Sequence, residues 1–137
     1  MTELGEDDTL PVFVYGTLRP GDVGFRETAL ADRVECLGPA QVAGTLYDLG
    51  EYPGAVLGKS GIIRGELLLP LDRGVLPLLD EYEIYDPADP KSSEFLRLIA
   101  TTVDSGLSIW IYAYNRSVTD VPVIPSGDWA AHRSRLF

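Results

Sequence analysis

An unbroken apolar run, residues 10–15 (LPVFVY), is closed by the turn residues of Gly16-Thr17-Leu18-Arg19-Pro20-Gly21. A short stretch of β-formers bounded this way reads as a buried strand feeding a loop. A short helix is expected over 25–31, and a short strand or extended link over 33–38. Residues 40–49 read as a strand, and Gly44 within it predicts a bulge or a close backbone approach. Residues 50–54 (GEYPG) form a loop. The runs 55–57 and 62–69 flank Lys59-Ser60-Gly61, a pattern that predicts a hairpin. Asp72 stands before a periodic apolar stretch as a helix N-cap, with the helix running over 73–83. Two prolines make 86–93 a loop. Two β-rich runs, 94–103 and 107–114, flank Asp104-Ser105-Gly106 as a second hairpin, and 124–137 ends in a short helical tail. Many strands with few short helices, and no internal repeat, indicate an α+β domain.

The helix over 73–83 separates its carboxylates. At about 100° per residue, with Val75 at 0°, Leu79 falls near 40°, Tyr82 near 340° and Glu83 near 80°, while Glu81 falls near 240°. Glu83 thus stands at the edge of the apolar stripe and can face a core or cleft, whereas Glu81 faces solvent. A carboxylate in apolar surroundings has a raised pKa and can take a proton and later return it. Backbone N–H groups after Tyr15 are freed from the ladder and can point at an anion or a carbonyl oxygen. The loop lacks the GK[ST] ending of a phosphate-binding Walker loop. Taken alone, an ordinary turn is the simpler account of the loop. A helix-end glutamate bending back to water is the simpler account of Glu83.

Composition narrows the class. With 137 residues, 45% apolar and 23% charged, the chain has the size and makeup of one globular domain. The net charge of −10 disfavours nucleic acid and anionic membrane, both of which are bound through cations. Glu3, Glu6, Asp7 and Asp8 carry four of those charges, and residues 1–9 read as an acidic flexible tail ahead of a domain over 10–137. Cys36 is the only cysteine, so an intramolecular disulfide or a multi-cysteine zinc site is excluded. His132 is the only histidine and lies among Arg133 and Arg135, a poor basis for Ser–His or Cys–His chemistry. No apolar run approaches the ~18 residues of a membrane span. The first residues lack a basic region and an apolar signal core, so a cytoplasmic protein is expected. Arg97 alternates with Phe95 and Ile99 in its strand and is expected to be half-buried. It would pair with a carboxylate of this protein or of a ligand, the internal pair being favoured.

Five segments in order, VFVYGTLRPG (12–21), GTLYDLGEYPG (44–54), LLDEYE (78–83), IWIYAY (109–114) and SGDW (126–129), resemble the γ-glutamylcyclotransferase-like, or AIG2-like, family. The resemblance spans most of residues 10–130. It implies a small single α+β domain with a mixed, barrel-like β-sheet and a few short helices. It also implies a reaction in which the free α-amine of a γ-glutamyl compound attacks its own side-chain amide, forming 5-oxoproline and releasing an amine or amino acid. Such a tethered nucleophile needs no cofactor and no metal. By resemblance Glu83 is the general base and acid, and Tyr15, Gly16, Thr17 and Leu18 bind substrate, mainly through backbone N–H groups. Tyr52 and Arg97 are further candidates for the site. The chain departs from the family in having Ile84 where glycine commonly follows the glutamate, and Phe95 where tyrosine often precedes the arginine. Two other readings of the same scaffold are removal of a γ-glutamyl cap from a biosynthetic intermediate, and a non-catalytic module binding a ligand or a protein. No oligomeric state is implied.

Overall fold

The computed structural model describes residues 10–135, so the acidic segment 1–9 lies outside the described residues. The first apolar run forms β1 (Val12–Val14), buried on both faces. It is the middle strand of a five-stranded mixed sheet, antiparallel to β3 (Pro53–Pro70) on one side and parallel to β5 (Ser108–Tyr114) on the other. The remaining strands are β2 (Val34–Asp48), paired with β3, and β4 (Phe95–Thr101), paired with β5. The sheet curls back on itself. Ala55 near the start of β3 pairs with Ala113 near the end of β5, and Val42 of β2 bridges Thr102 just after β4. This is the expected small α+β domain with a barrel-like sheet.

Alternation along the strands sorts side chains onto two sides. Val12 and Val14 join Leu68, Trp110 and Tyr112 beneath Val75, Leu76 and Leu79 of the helix α2 (Val75–Tyr82). Phe13 points the other way, with Ile63, Ile109, Ile111 and Trp129. Trp129 opens the C-terminal helix α3 (Trp129–Arg135), and is 1% exposed. Among the described residues no helix is long and apolar enough to cross a membrane.

Several elements differ from the sequence reading. Residues 55–57 and 62–69 are not two arms of a hairpin: both pair antiparallel with β2, and 58–61 bulge out of one long strand. Leu57 faces Gly44 and Ile62 faces Ala43, so the partner strand advances one residue while β3 advances five. Gly44 sits at this irregularity because a Cβ there would lie 2.6 Å from the Val56 carbonyl oxygen. The expected strands at 33–38 and 40–49 are one strand, β2, bulged between Cys36 and Gly38. The first helix, α1, is Val23–Glu27, capped by the Asp22 side chain and followed by a 3-10 turn at Leu30–Asp32. Helix α2 starts two residues later than expected. Asp72 Oδ1 accepts the Gly74 N–H (2.8 Å) and pairs with Arg33 Nη2 (2.8 Å), so Gly74, not Asp72, is the N-cap. The hairpin around 104–106 forms as expected, with Thr101 facing Ser108.

Candidate active site

The site is assembled where β1 and its parallel neighbour β5 both end. Beyond β1 the Tyr15 side chain is buried. Its hydroxyl donates to the Tyr112 carbonyl and accepts the Ala55 N–H (3.2 Å), which ties three strands together. A turn then closes with the Arg19 N–H on the Gly16 carbonyl (3.1 Å). Gly16 is required by close approach: a Cβ would lie 2.8 Å from Pro53 Cδ. The Thr17 carbonyl accepts the Phe25 N–H (3.1 Å), and the Thr17 and Tyr82 hydroxyls share a hydrogen bond (2.8 Å). Gly24 allows this packing, since a Cβ there would collide with the Tyr82 hydroxyl and the Thr17 carbonyl. Arg19 anchors the loop from behind, to Asp128 Oδ1 (2.9 Å) and Glu66 Oε1 (3.3 Å). Glu66 is thereby committed to the anchor and does not line the cavity. The N–H groups of Gly16, Thr17 and Leu18 donate to no backbone carbonyl among the described residues.

Glu83 is the C-cap of α2, its N–H donating to the Leu79 carbonyl (2.9 Å). The helix ends in a complete Schellman motif: the Ile84 N–H reaches the Glu81 carbonyl (3.2 Å) and the Tyr85 N–H the Asp80 carbonyl (2.9 Å). This geometry needs a left-handed residue after the cap, and Ile84 supplies it at φ 55°. The departure from glycine therefore leaves the turn intact and costs strain instead of orientation. A left-handed conformation costs an L-residue ~1–2 kcal/mol, and replacing it with glycine returns ~0.5–1 kcal/mol of that as chain entropy. Ile84 is 66% exposed, so little packing would be lost. Ile84→Gly is accordingly expected to raise stability by roughly 0.5–1 kcal/mol, read as a higher urea midpoint at unchanged slope. A lower midpoint would mean that the isoleucine side chain holds the turn together.

The loop and the helix end open on one cavity of about 170 Å³. Tyr15, Gly16, Thr17, Leu18, Tyr52 and Glu83 all line it, so six sequence candidates share one site. Glu83 keeps partial exposure at this cavity, yet burial of its carboxyl, helped by the negative charge of Glu94, pushes its pKa from 4.5 up to about 8. Glu81 is exposed, as the helical geometry requires. Sequence reasoning missed Glu94 and Tyr112, which also line the cavity. Tyr52 donates its hydroxyl to Glu94 Oε2, and this bond, with burial, raises the Tyr52 pKa to about 12. Nothing local marks Glu94 in the sequence, because β4 pairing brings it there. Phe95, also in the lining, packs its ring against Tyr52 (6.1 Å) and Tyr114 (5.4 Å), so its missing hydroxyl leaves an apolar wall.

Arg97 does not reach the cavity. Its guanidinium lies over the Trp110 ring (4.3 Å) and binds Asp80 through Nε (2.8 Å) and Nη2 (3.3 Å). It is the internal pair that sequence alternation favoured, not a ligand contact. His132 is likewise remote: its Nε2 pairs with Asp48 Oδ2 (2.8 Å), which holds the Asp48 carboxyl below its ordinary pKa. Among the described residues no group of three or more His, Cys, Asp or Glu could hold a metal ion.

A curled mixed sheet, an anchored loop at the end of its middle strand and a glutamate facing that loop from a helix end define a small α+β enzyme-like domain. The family described as "Gamma-glutamyl cyclotransferase, AIG2-like" matches residues 12–131, and the chain belongs to it. It is 34% identical over 121 residues to the "Gamma-glutamylcyclotransferase family protein YtfP" of Escherichia coli K12, covering 86% of this chain and 94% of the relative. The solution structure of ytfP from Escherichia coli superimposes with a TM-score of 0.66 at 30% identity, over 90% of this chain and 99% of that one. A crystal structure of an aig2-like protein from Mus musculus shares the fold, with a TM-score of 0.63 at 21% identity over 87% of this chain and 88% of that one.

Proposed function

We propose that this chain is a γ-glutamyl cyclotransferase acting on a small γ-glutamyl compound. The observation that carries this reading is the shared cavity: Glu83 lines the same space as residues 16–18, whose N–H groups donate to no backbone carbonyl among the described residues. The substrate's glutamyl head is seated against that loop. Glu83, ionised, takes a proton from the α-ammonium. The freed amine attacks the γ-carbonyl carbon and a C–N bond closes a five-membered ring. Negative charge gathers on the carbonyl oxygen, where fixed N–H donors stabilise it. The protonated Glu83 then gives its proton to the amide nitrogen, the original C–N bond breaks as the oxyanion collapses, the ring nitrogen passes its remaining extra proton by way of Glu83 to the departing amine, and 5-oxoproline and an ammonium-form amine leave. One carboxyl with a pKa near neutrality serves both transfers, because it is neither too weak a base nor too weak an acid. Holding amine and carbonyl of one molecule in contact supplies much of the remaining acceleration.

The test is a product assay. Purified protein is incubated with γ-glutamyl dipeptides and γ-glutamyl amines, and 5-oxoproline is followed by proton NMR. Appearance of 5-oxoproline with stoichiometric release of amine is the expected result. Ligand-induced shifts with no product from any compound would replace this reading with that of a binding module.

A further inference from the structure

Two carboxyl side chains, Glu83 and Glu94, line the cavity, and among the described residues its lining includes no lysine, arginine or histidine. Two carboxyls in one space with no cation between them do not both ionise readily, so one keeps its proton to a higher pH than the other. Their surroundings decide which.

Glu94 is placed to carry the charge. It is half-buried just ahead of β4, on a pinned stretch of backbone. Its carbonyl accepts the Asn115 N–H (2.8 Å). The preceding Ser93 is buried, and its hydroxyl accepts the Asp86 N–H (2.9 Å) and donates to the Asp89 carbonyl (3.0 Å). Glu94 Oε2 accepts the Tyr52 hydroxyl, and the Tyr52 ring packs on Phe95 (6.1 Å). A hydroxyl donates more strongly to a carboxylate than to a neutral acid, so this bond favours the ionised form of Glu94. Glu83 has no such support: its side chain has no hydrogen-bond partner among the described residues. The titratable groups that face it from the packed elements are Tyr15 after β1, Tyr52 before β3, Tyr82 of α2, Tyr112 of β5 and Glu94. Burial raises the pKa of Tyr15, Tyr82 and Tyr112, and the bond to Glu94 raises that of Tyr52 to about 12, so all four are neutral phenols. Glu94 is therefore the charge that acts on Glu83 in this cavity, and its sign opposes ionisation.

We propose that Glu94, fixed by the Tyr52 hydroxyl, is a positioning residue that acts through Glu83, its negative charge placing the cavity's proton on Glu83 and setting how far the pH must rise before that group becomes a base. The catalytic consequence rests on the cyclotransferase reading, whereas the placement of the proton is a property of the free protein. Burial alone would leave Glu83 ionising at lower pH and so a weaker base. The added charge brings it closer to the point at which one carboxyl both takes and returns a proton near neutrality.

Carbon-13 titration of the Glu83 carboxyl in the free protein reads the placement directly, its signal identified by its loss in Glu83→Gln. Glu94→Gln keeps the shape of the side chain and an acceptor for Tyr52 but removes the charge. It is expected to lower the Glu83 midpoint from about 8 by roughly 0.5–1 unit. Glu94→Asp keeps the charge and is expected to titrate closer to the wild type than to Glu94→Gln. The acid limb of kcat/KM for 5-oxoproline formation should move with the midpoints, in the same order and by the same amount. Equal midpoints in the wild type and Glu94→Gln would overturn the proposal. So would a Glu94→Asp midpoint as low as that of Glu94→Gln, since shape and not charge would then be responsible, or an acid limb that stays fixed while the midpoints move. Should no compound yield 5-oxoproline, the cyclotransferase reading fails by itself, and the midpoints alone decide the placement of the proton: a fall in Glu94→Gln sustains it and no change overturns it.

Discussion

Glu83→Gln is expected to fold normally and to form 5-oxoproline at least ~100-fold more slowly than the wild type, the range over which a positioned acid–base group acts. Glutamine keeps the size and hydrogen-bonding reach of the side chain and loses the ability to ionise, and with it the acid–base function. A full rate in the variant would remove Glu83 from the mechanism. The same substitution carries a stability signature with a defined sign. Burial and the charge of Glu94 raise the folded-state pKa of Glu83 from 4.5 to about 8. Below pH 4.5 the group is protonated in both the folded and unfolded chains and its titration contributes nothing. Above that value the unfolded chain releases its proton while the folded one retains it, so folding is increasingly disfavoured until the folded pKa is passed. Glu83→Gln should therefore match the wild type at pH 4, surpass it progressively up to about pH 8, and keep a constant margin beyond. Thermal or urea midpoints across that range measure it, and a carbon-13 titration of the Glu83 carboxyl should show a midpoint near 8 instead of 4.5. A pH-independent difference in stability would mean that the carboxyl is solvated. The expected trend is that of a catalytic group held at the expense of stability.

The sequence disclosed what local pattern determines. The run 10–15, the 104–106 hairpin and the inner-edge position of Glu83 each depend on residues within one or two turns of chain, and each is as expected. What it hid depends on pairing between distant segments. Lys59-Ser60-Gly61 has the composition of a hairpin turn, and only the common partner β2 makes it a bulge. Asp80 falls about 140° from Val75 on the helical wheel, away from the stripe, yet it is 7% exposed because Arg97 and Tyr112 come down on it from two strands. Arg97 announced a buried partner but could not say which acid it was. Glu94 and Tyr112 reach the cavity through the register of β4 and β5, for which no single segment carries a signal. The turn after Glu83 shows the reverse case. A missing glycine suggested an altered geometry, and the helix cap instead forces Ile84 into the conformation glycine would take.

The buried centre behind the cavity should be the most fragile point of the domain. Asp80 accepts the Tyr112 hydroxyl (2.7 Å) as well as both bonds from Arg97. Burial, and then the Asp80 charge, push the Tyr112 hydroxyl pKa far up, so it stays a donor. Asp80→Ala would leave the Arg97 guanidinium half-buried against Trp110 and Tyr85 with no countercharge, and such removal costs about 3–5 kcal/mol. Against a total stability of ~5–15 kcal/mol for a domain, the variant should be close to unfolding at physiological temperature. Arg97→Met should lose a comparable amount, because it strands the Asp80 carboxylate. The pair Asp80→Leu with Arg97→Met removes both charges and should recover part of the loss, since a buried ion pair replaced by apolar side chains is close to neutral while the buried Tyr112 hydroxyl loses its acceptor at a cost of about 1–3 kcal/mol. Urea denaturation of the two single variants and the double variant gives the coupling directly. Additive losses would mean that the charges act independently. The same series separates two roles for Arg97. If it acts only by bracing Asp80, the double variant should be as active as Asp80→Leu alone under conditions where both are folded. If it contacted substrate, the double variant would show a KM above that of Asp80→Leu.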